Sequence, residues 1–203
     1  MSKKQWGMAV LSCASLLLTA CTVVDLDANG KPIIPPDPHA KASYSNQTPQ
    51  QVVQENWDSK VLATANSHAL DWATAQEKSR TVKEGSSESV FVKASGQVTA
   101  FNNSNERERT LEMTINGAPV TVQLGPVIRS NVIRDAAGFN FEDFTNQVQF
   151  AQLTKALNRH AVQQLPAVDA SWNGKKVDVV LAVVLKHNGI DDVVALTLKP
   201  EAP

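Results

Sequence analysis

Gln123, Arg129, Arg134, Asp135, Asn146 and Gln147 are side chains of the kind that hold a polar ligand, gathered within one short reach of sequence. The stretch Val122-Gln123-Leu124-Gly125-Pro126-Val127-Ile128-Arg129-Ser130-Asn131-Val132-Ile133-Arg134-Asp135 mixes charge with core-like aliphatic residues. Arginine offers a planar fork that grips carboxylates, phosphates or vicinal hydroxyls at two points. The amides add both donors and acceptors. Two readings stay open. One is a pocket for a small anionic or hydroxylated ligand. The other is a buried network in which an Arg–Asp pair and the amides satisfy the backbone of an irregular connection.

Other chemistry finds less support. His39, His68, His160 and His187 are scattered, with no spacing that sets two of them on one helical face, so no metal centre is expected. Glu142-Asp143 has the form of an acid/base pair, but adjacent carboxylates ahead of a helix usually favour its positive N-terminal end. No Ser–His–Asp order, nucleophile elbow or phosphate loop is present. The chain reads as non-enzymatic, with no cofactor. Trp57, Trp72 and Trp172 offer faces on which a sugar ring stacks, although Trp57 belongs to an apolar helical stripe and reads as core.

The elements that must position these groups follow from the apolar pattern. Thr48-Pro49 starts a helix, with a capping hydroxyl and proline in the first turn. Val53, Trp57, Val61, Ala65, Ala69 and Ala73 then recur every fourth residue, predicting one long helix that ends by Gly85. Alternation predicts strands over 89–101, 110–115 and 119–124, the last two joined by the hairpin dipeptide Asn116-Gly117. A second helix is expected over 145–165, with Phe150, Leu153, Leu157, Ala161 and Leu165 on one face and Pro166 as its stop. Strands over 176–186 and 192–198, joined at Asn188-Gly189, complete the order helix, strands, helix, strands. The expected class is α+β: two small antiparallel β-barrel-like substructures with two principal helices, in halves of about 48–143 and 144–203, with a weak echo of internal duplication.

The N-terminus carries an address. Lys3 and Lys4 precede an apolar run, Trp6 to Leu18, that is shorter than the roughly 20 residues of a membrane-spanning helix. Leu18-Thr19-Ala20-Cys21 looks like a lipobox, which directs acylation of Cys21 and cleavage before it. Residues 1–20 are thus read as a signal peptide, and 21–47 as the lipidated cysteine and a tether stiffened by Pro32, Pro35, Pro36 and Pro38. Residues 48–203 form the periplasm-facing domain. The alternative is an ordinary signal that leaves Cys21 as a free thiol. Several acyl chains anchor a protein stably. Cys13 leaves with the signal, so neither an intrachain disulfide nor a cysteine zinc site remains.

Composition agrees with a folded domain: 42% hydrophobic and 19% charged residues. The net charge of −1, lowered further when Lys3 and Lys4 are removed, excludes the basic footprint of a nucleic-acid binder.

The segment of residues 122–147, with Phe141, Phe144 and the helix ending in Leu157-Asn158, resembles the signature of a family of predicted periplasmic lipoproteins of unknown function. Those proteins share a Gln-x-Gly-Pro-Val-Ile-Arg stretch, an Arg-Asp pair and a Phe-x-x-Phe-x-Asn-Gln run into a helix. The likeness extends more weakly to Trp57 and Ser95-Gly96-Gln97-Val98. Ser130 and Asn131 depart from it, standing where the family usually has glycine and then a small hydroxyl residue. Glycine permits a positive φ or a close backbone approach, so that geometry does not carry over. The resemblance implies paired small barrels of oligonucleotide/oligosaccharide-binding type, no established catalysis, and genes often beside sugar ABC-transporter components. The expected function is therefore a membrane-anchored binding or accessory module for carbohydrate transport, meeting a transporter component or a small polar ligand. A structural envelope lipoprotein without a ligand is the alternative. Thr22, where inner-membrane lipoproteins of enteric bacteria carry Asp, favours the outer membrane.

Overall fold

The computed structural model describes residues 43–201. The signal, Cys21 and most of the expected tether lie outside the described residues, and only 43–47 of the tether can be placed. There, Tyr44 is buried against Phe139 and Phe144, so the end of the expected tether belongs to the domain core.

Helix α1 (Pro49–Asn56) begins where the sequence places it. Thr48 and Gln51 form a reciprocal capping box, and Pro49 occupies the first turn. The predicted long helix does not continue unbroken. A π-helical stretch, Trp57–Leu62, follows, then α2 (Ala63–His68), then the two-residue strand β1 (Leu70–Asp71). Asp71 restarts the chain as α3 (Trp72–Thr81), its carboxylate accepting from the Thr74 amide at 2.9 Å. The four-residue stripe holds through Val53, Trp57, Val61 and Ala65, all buried. Beyond the break the buried residues are Trp72, Ala75 and Ser79, and Ala73 is exposed.

Strands β2 (Ser87–Asn102), β3 (Glu108–Ile115), β4 (Ala118–Pro126), β5 (Lys176–Lys186) and β6 (Gly189–Pro200) follow the predicted segments, with ends extended by a few residues. Asn116 (φ 50°) and Gly117 (φ 80°) adopt the left-handed values that a tight two-residue hairpin requires. The strands form one closed barrel rather than the two substructures expected. Its order is β2-β3-β4-β6-β5, and β5 pairs back onto β2 from Ser87↔Lys186 to Gln97↔Lys176. The physical reason is edge satisfaction. Neither the three-stranded nor the two-stranded group can pair all its own edges, and a lone hairpin is marginal in water. Each group completes the other, with a parallel contact at Gln123↔Val194 closing the seam.

Alternation divides the side chains between two cores. Val92, Leu111, Met113, Val122, Leu181 and Val183 fill the barrel with α3's Trp72 and Ala75. Phe91, Ala182, Val194 and Leu196 point outward beneath a helical layer. That layer holds α1, the π-helical turn, α4 (Val132–Ala136) and α5 (Gln147–Gln164), with Leu153, Leu157 and Ala161 buried. Gly96 marks where β2 passes close to β3: a Cβ there would sit 2.6 Å from the Thr114 carbonyl oxygen.

Candidate functional site

The segment between β4 and α5 is pinned by α5 itself. Asn158, buried and on the barrel-facing side of the helix, donates from Nδ2 to the Ser130 carbonyl at 2.8 Å and to the Ile128 carbonyl at 3.1 Å. One turn earlier, Thr154 donates to Asn131 Oδ1 at 3.2 Å. Buried Ser130 accepts from the Val132 amide, and Asn131 has φ −91°. The segment therefore needs no glycine here, and serine and asparagine fit without backbone strain.

Arg134 and Asp135 belong to this framework. The Arg134 side chain is only 12% exposed. Its Nε and Nη2 lie 2.8 and 2.7 Å from Asp135 Oδ1, and its Nη1 donates to Thr154 at 3.0 Å. Its guanidinium covers the Phe150 ring at 3.8 Å. Each nitrogen of the fork has a partner and one face lies on a ring, which is the arrangement of the buried-network reading. Asn146 caps α5, accepting from the Gln149 amide at 3.0 Å, and Gln147 is the first, exposed residue of that helix.

Gln123 and Arg129 are placed differently. Arg129 extends from the pinned segment with its side chain 81% exposed, its one ion pair among the described residues being a 3.3 Å contact with Glu108. Gln123 faces outward from β4. The two share a hollow of about 340 Å³ on the outer surface of β3 and β4, with Arg109 and Thr110. Arg109 Nε is held by the Gly125 carbonyl. A second groove, of about 550 Å³, adjoins it through Val127 and Arg129 and runs along α5 past Asn131, Thr154, Lys155, Asn158 and Arg159. The structure thus brings Gln123 and Arg129 to one face and assigns Arg134, Asp135 and Asn146 to its scaffold.

Sequence reasoning missed Lys155 and Arg159. The signal was present: residues 151, 155 and 159 recur every four positions on the exposed side of α5, opposite Leu153, Leu157 and Ala161.

A larger cleft of about 670 Å³ lies elsewhere on the barrel. It opposes Asp71 and Asp178 to Lys93 and Lys199, and Ser95 donates to Asp178 at 2.5 Å. Its charges balance one another. Trp57, Trp72 and Trp172 are all buried, so none offers a free stacking face. Trp57 instead packs on His160, 4.4 Å between centroids, and burial pulls the His160 imidazole below its ordinary value against a smaller upward pull from Asp58. Among the described residues no group of His, Cys, Asp or Glu could hold a metal ion, and no helix is long and apolar enough to cross a membrane.

The model of a family described as "predicted periplasmic lipoprotein (DUF2291)" matches residues 11–199. No curated protein matches the sequence.

Proposed function

The chain belongs to this family of periplasmic lipoproteins, and from that premise we propose that it is a membrane-anchored, non-enzymatic binding module serving carbohydrate transport. The observation that carries the reading is the polar hollow shared by Thr110, Gln123 and Arg129, beside a backbone segment that Thr154 and Asn158 pin. The pinned backbone on either side of Arg129 fixes where its fork starts, and the exposed side chain is free to turn onto a ligand.

The position of the surface supports the same view. We read this five-stranded barrel, with a helix between its third and fourth strands, as one of oligonucleotide/oligosaccharide-binding type, a fold whose second and third strands carry ligands. Here those strands are β3 and β4, which carry the hollow. The acidic balance of the chain argues for sugars over nucleic acids. Gene neighbours implied by the family resemblance point to a sugar ABC transporter as the partner, and Thr22 to the outer membrane as the anchoring site.

The test is thermal unfolding against sugars, sugar phosphates and organic acids. A ligand at 100 times its Kd adds about 2.7 kcal/mol, roughly 5–10 °C for a domain of this size. A shift that disappears in Arg129→Ala supports the reading, and silence across the panel sinks it.

A second reading is favoured by Phe141, 47% exposed in the turn ahead of α5, and Val148, 65% exposed in the first turn of α5. Exposed apolar side chains suit a protein partner, as in an interaction lipoprotein of the envelope. Crosslinking in intact cells separates the two: capture of a permease or solute-binding protein supports transport, and capture of cell-wall or outer-membrane assembly factors overturns it.

A further inference from the structure

We propose that the groove along α5 is a phosphoryl site, so that the ligand of this face is phosphorylated rather than a neutral sugar. The inference rests on the binding reading above and narrows it to a ligand class.

Three cations converge on the groove from two elements: Arg129 from the pinned segment, and Lys155 and Arg159 from successive turns of α5. None of its lining residues is acidic. Among the described residues no carboxylate pairs with Lys155 or Arg159, and Arg129 has only the exposed Glu108 at 3.3 Å. Three like charges around one concavity repel one another, and an anion between them relieves that cost. A phosphoryl group carries about two negative charges and three acceptor oxygens, enough for two guanidinium forks and an ammonium.

The rest of the groove suits a hydroxylated body attached to that group. Asn158 commits both of its protons to the Ile128 and Ser130 carbonyls, while its Oδ1 is buried at the groove wall without a partner among the described residues. Asn131, exposed along the same groove, offers its amide to such a body. Val127, Ile128 and Ala151 form an apolar flank, and the volume falls within the roughly 300–1,000 Å³ of small-molecule sites. The larger cleft, with two carboxylates among its lining, lacks this bias.

Phosphoryl groups reach such a face from two sources, a free phosphorylated solute or the headgroup of an anionic phospholipid in the membrane that carries the anchor. The experiment uses the full mature lipoprotein in phosphatidylcholine nanodiscs, titrated calorimetrically with glucose 6-phosphate, inorganic phosphate and glucose. A parallel set replaces part of the lipid with phosphatidylglycerol. We expect glucose 6-phosphate to bind more tightly than glucose, with affinity that falls as salt rises. Lys155→Gln/Arg159→Gln, confined to exposed positions, weakens it about tenfold or more. Competition by phosphatidylglycerol, lost in the same variant, identifies the headgroup as the source; its absence identifies the solute. Glucose binding as tightly as its phosphate, unchanged in the variant, overturns the phosphoryl inference and leaves the binding module standing. No binding of any probe and no effect of the lipid overturns both.

Discussion

Replacing Arg134 by alanine separates framework from surface, because the structure gives Arg129 and Arg134 opposite roles. Arg134 would lose a charge-assisted bond to Thr154, its contacts with Asp135 and its position over Phe150. The Thr154 bond contributes about 1.5–3 kcal/mol when buried. The pair with Asp135, whose side chain is 41% exposed, adds about 0.5–1 kcal/mol after screening, and the ring contact about 0.5–2 kcal/mol. These terms overlap, and a net loss of about 3 kcal/mol is expected. At roughly 2–4 °C per kcal/mol the midpoint falls by about 6–12 °C. Arg129→Ala removes an exposed side chain and one loose ion pair, so it should cost under about 0.5 kcal/mol. Paired urea titrations and thermal scans read both values. An Arg134→Ala protein as stable as the parent, or an Arg129→Ala protein equally damaged, would refute the division of roles.

Three further outcomes follow from the same geometry. Asn158→Ala strands the Ile128 and Ser130 carbonyls inside the protein, at about 2–4 kcal/mol in urea unfolding; a change within 0.5 kcal/mol, taken as about the noise of such series, would remove the pinned segment from the account. Gly96→Ala forces β2 away from the Thr114 carbonyl and from Met113, costing about 1–3 kcal/mol, and a neutral melt would show that the strands give way there. His160 makes stability fall with acid. Its native pKa lies below that of the unfolded chain, so its contribution is complete above about pH 6.5 and is lost as pH falls through the lowered native value. His160→Gln should flatten the profile between neutral and mildly acidic pH, and an unchanged slope would assign the loss to other groups.

The parts of the fold that were legible in the sequence are those that neighbouring residues decide. Asn116-Gly117 specifies its turn through local backbone conformation, and Leu153, Leu157 and Ala161 mark a helix by their period. The break at Ala69–Asp71 was not legible, because a stripe of alanines reads as helix while the Asp71 cap competes with it one position at a time. The single barrel was hidden for another reason. Pairing of β2 with β5 joins residues about 80 to 100 apart, and no local pattern announces it. The site was half legible: residue types identified Gln123 and Arg129, but whether an arginine faces solvent or a phenylalanine is decided by the tertiary partner. Arg134 meets Phe150 and Thr154 only because α5 folds back across the segment. Lys155 and Arg159 carried a helical period and passed as ordinary solvated charges until the groove gave them a common target.

Hydrogen exchange of the mature lipoprotein, with and without saturating glucose 6-phosphate, locates the binding face. A ligand held by Arg129, Lys155 and Arg159 protects peptides covering residues 108–110, 123–131 and 151–159, with little change at the larger cleft. Protection confined to the peptides around Lys93, Ser95 and Asp178 would overturn it and move the binding face to that cleft.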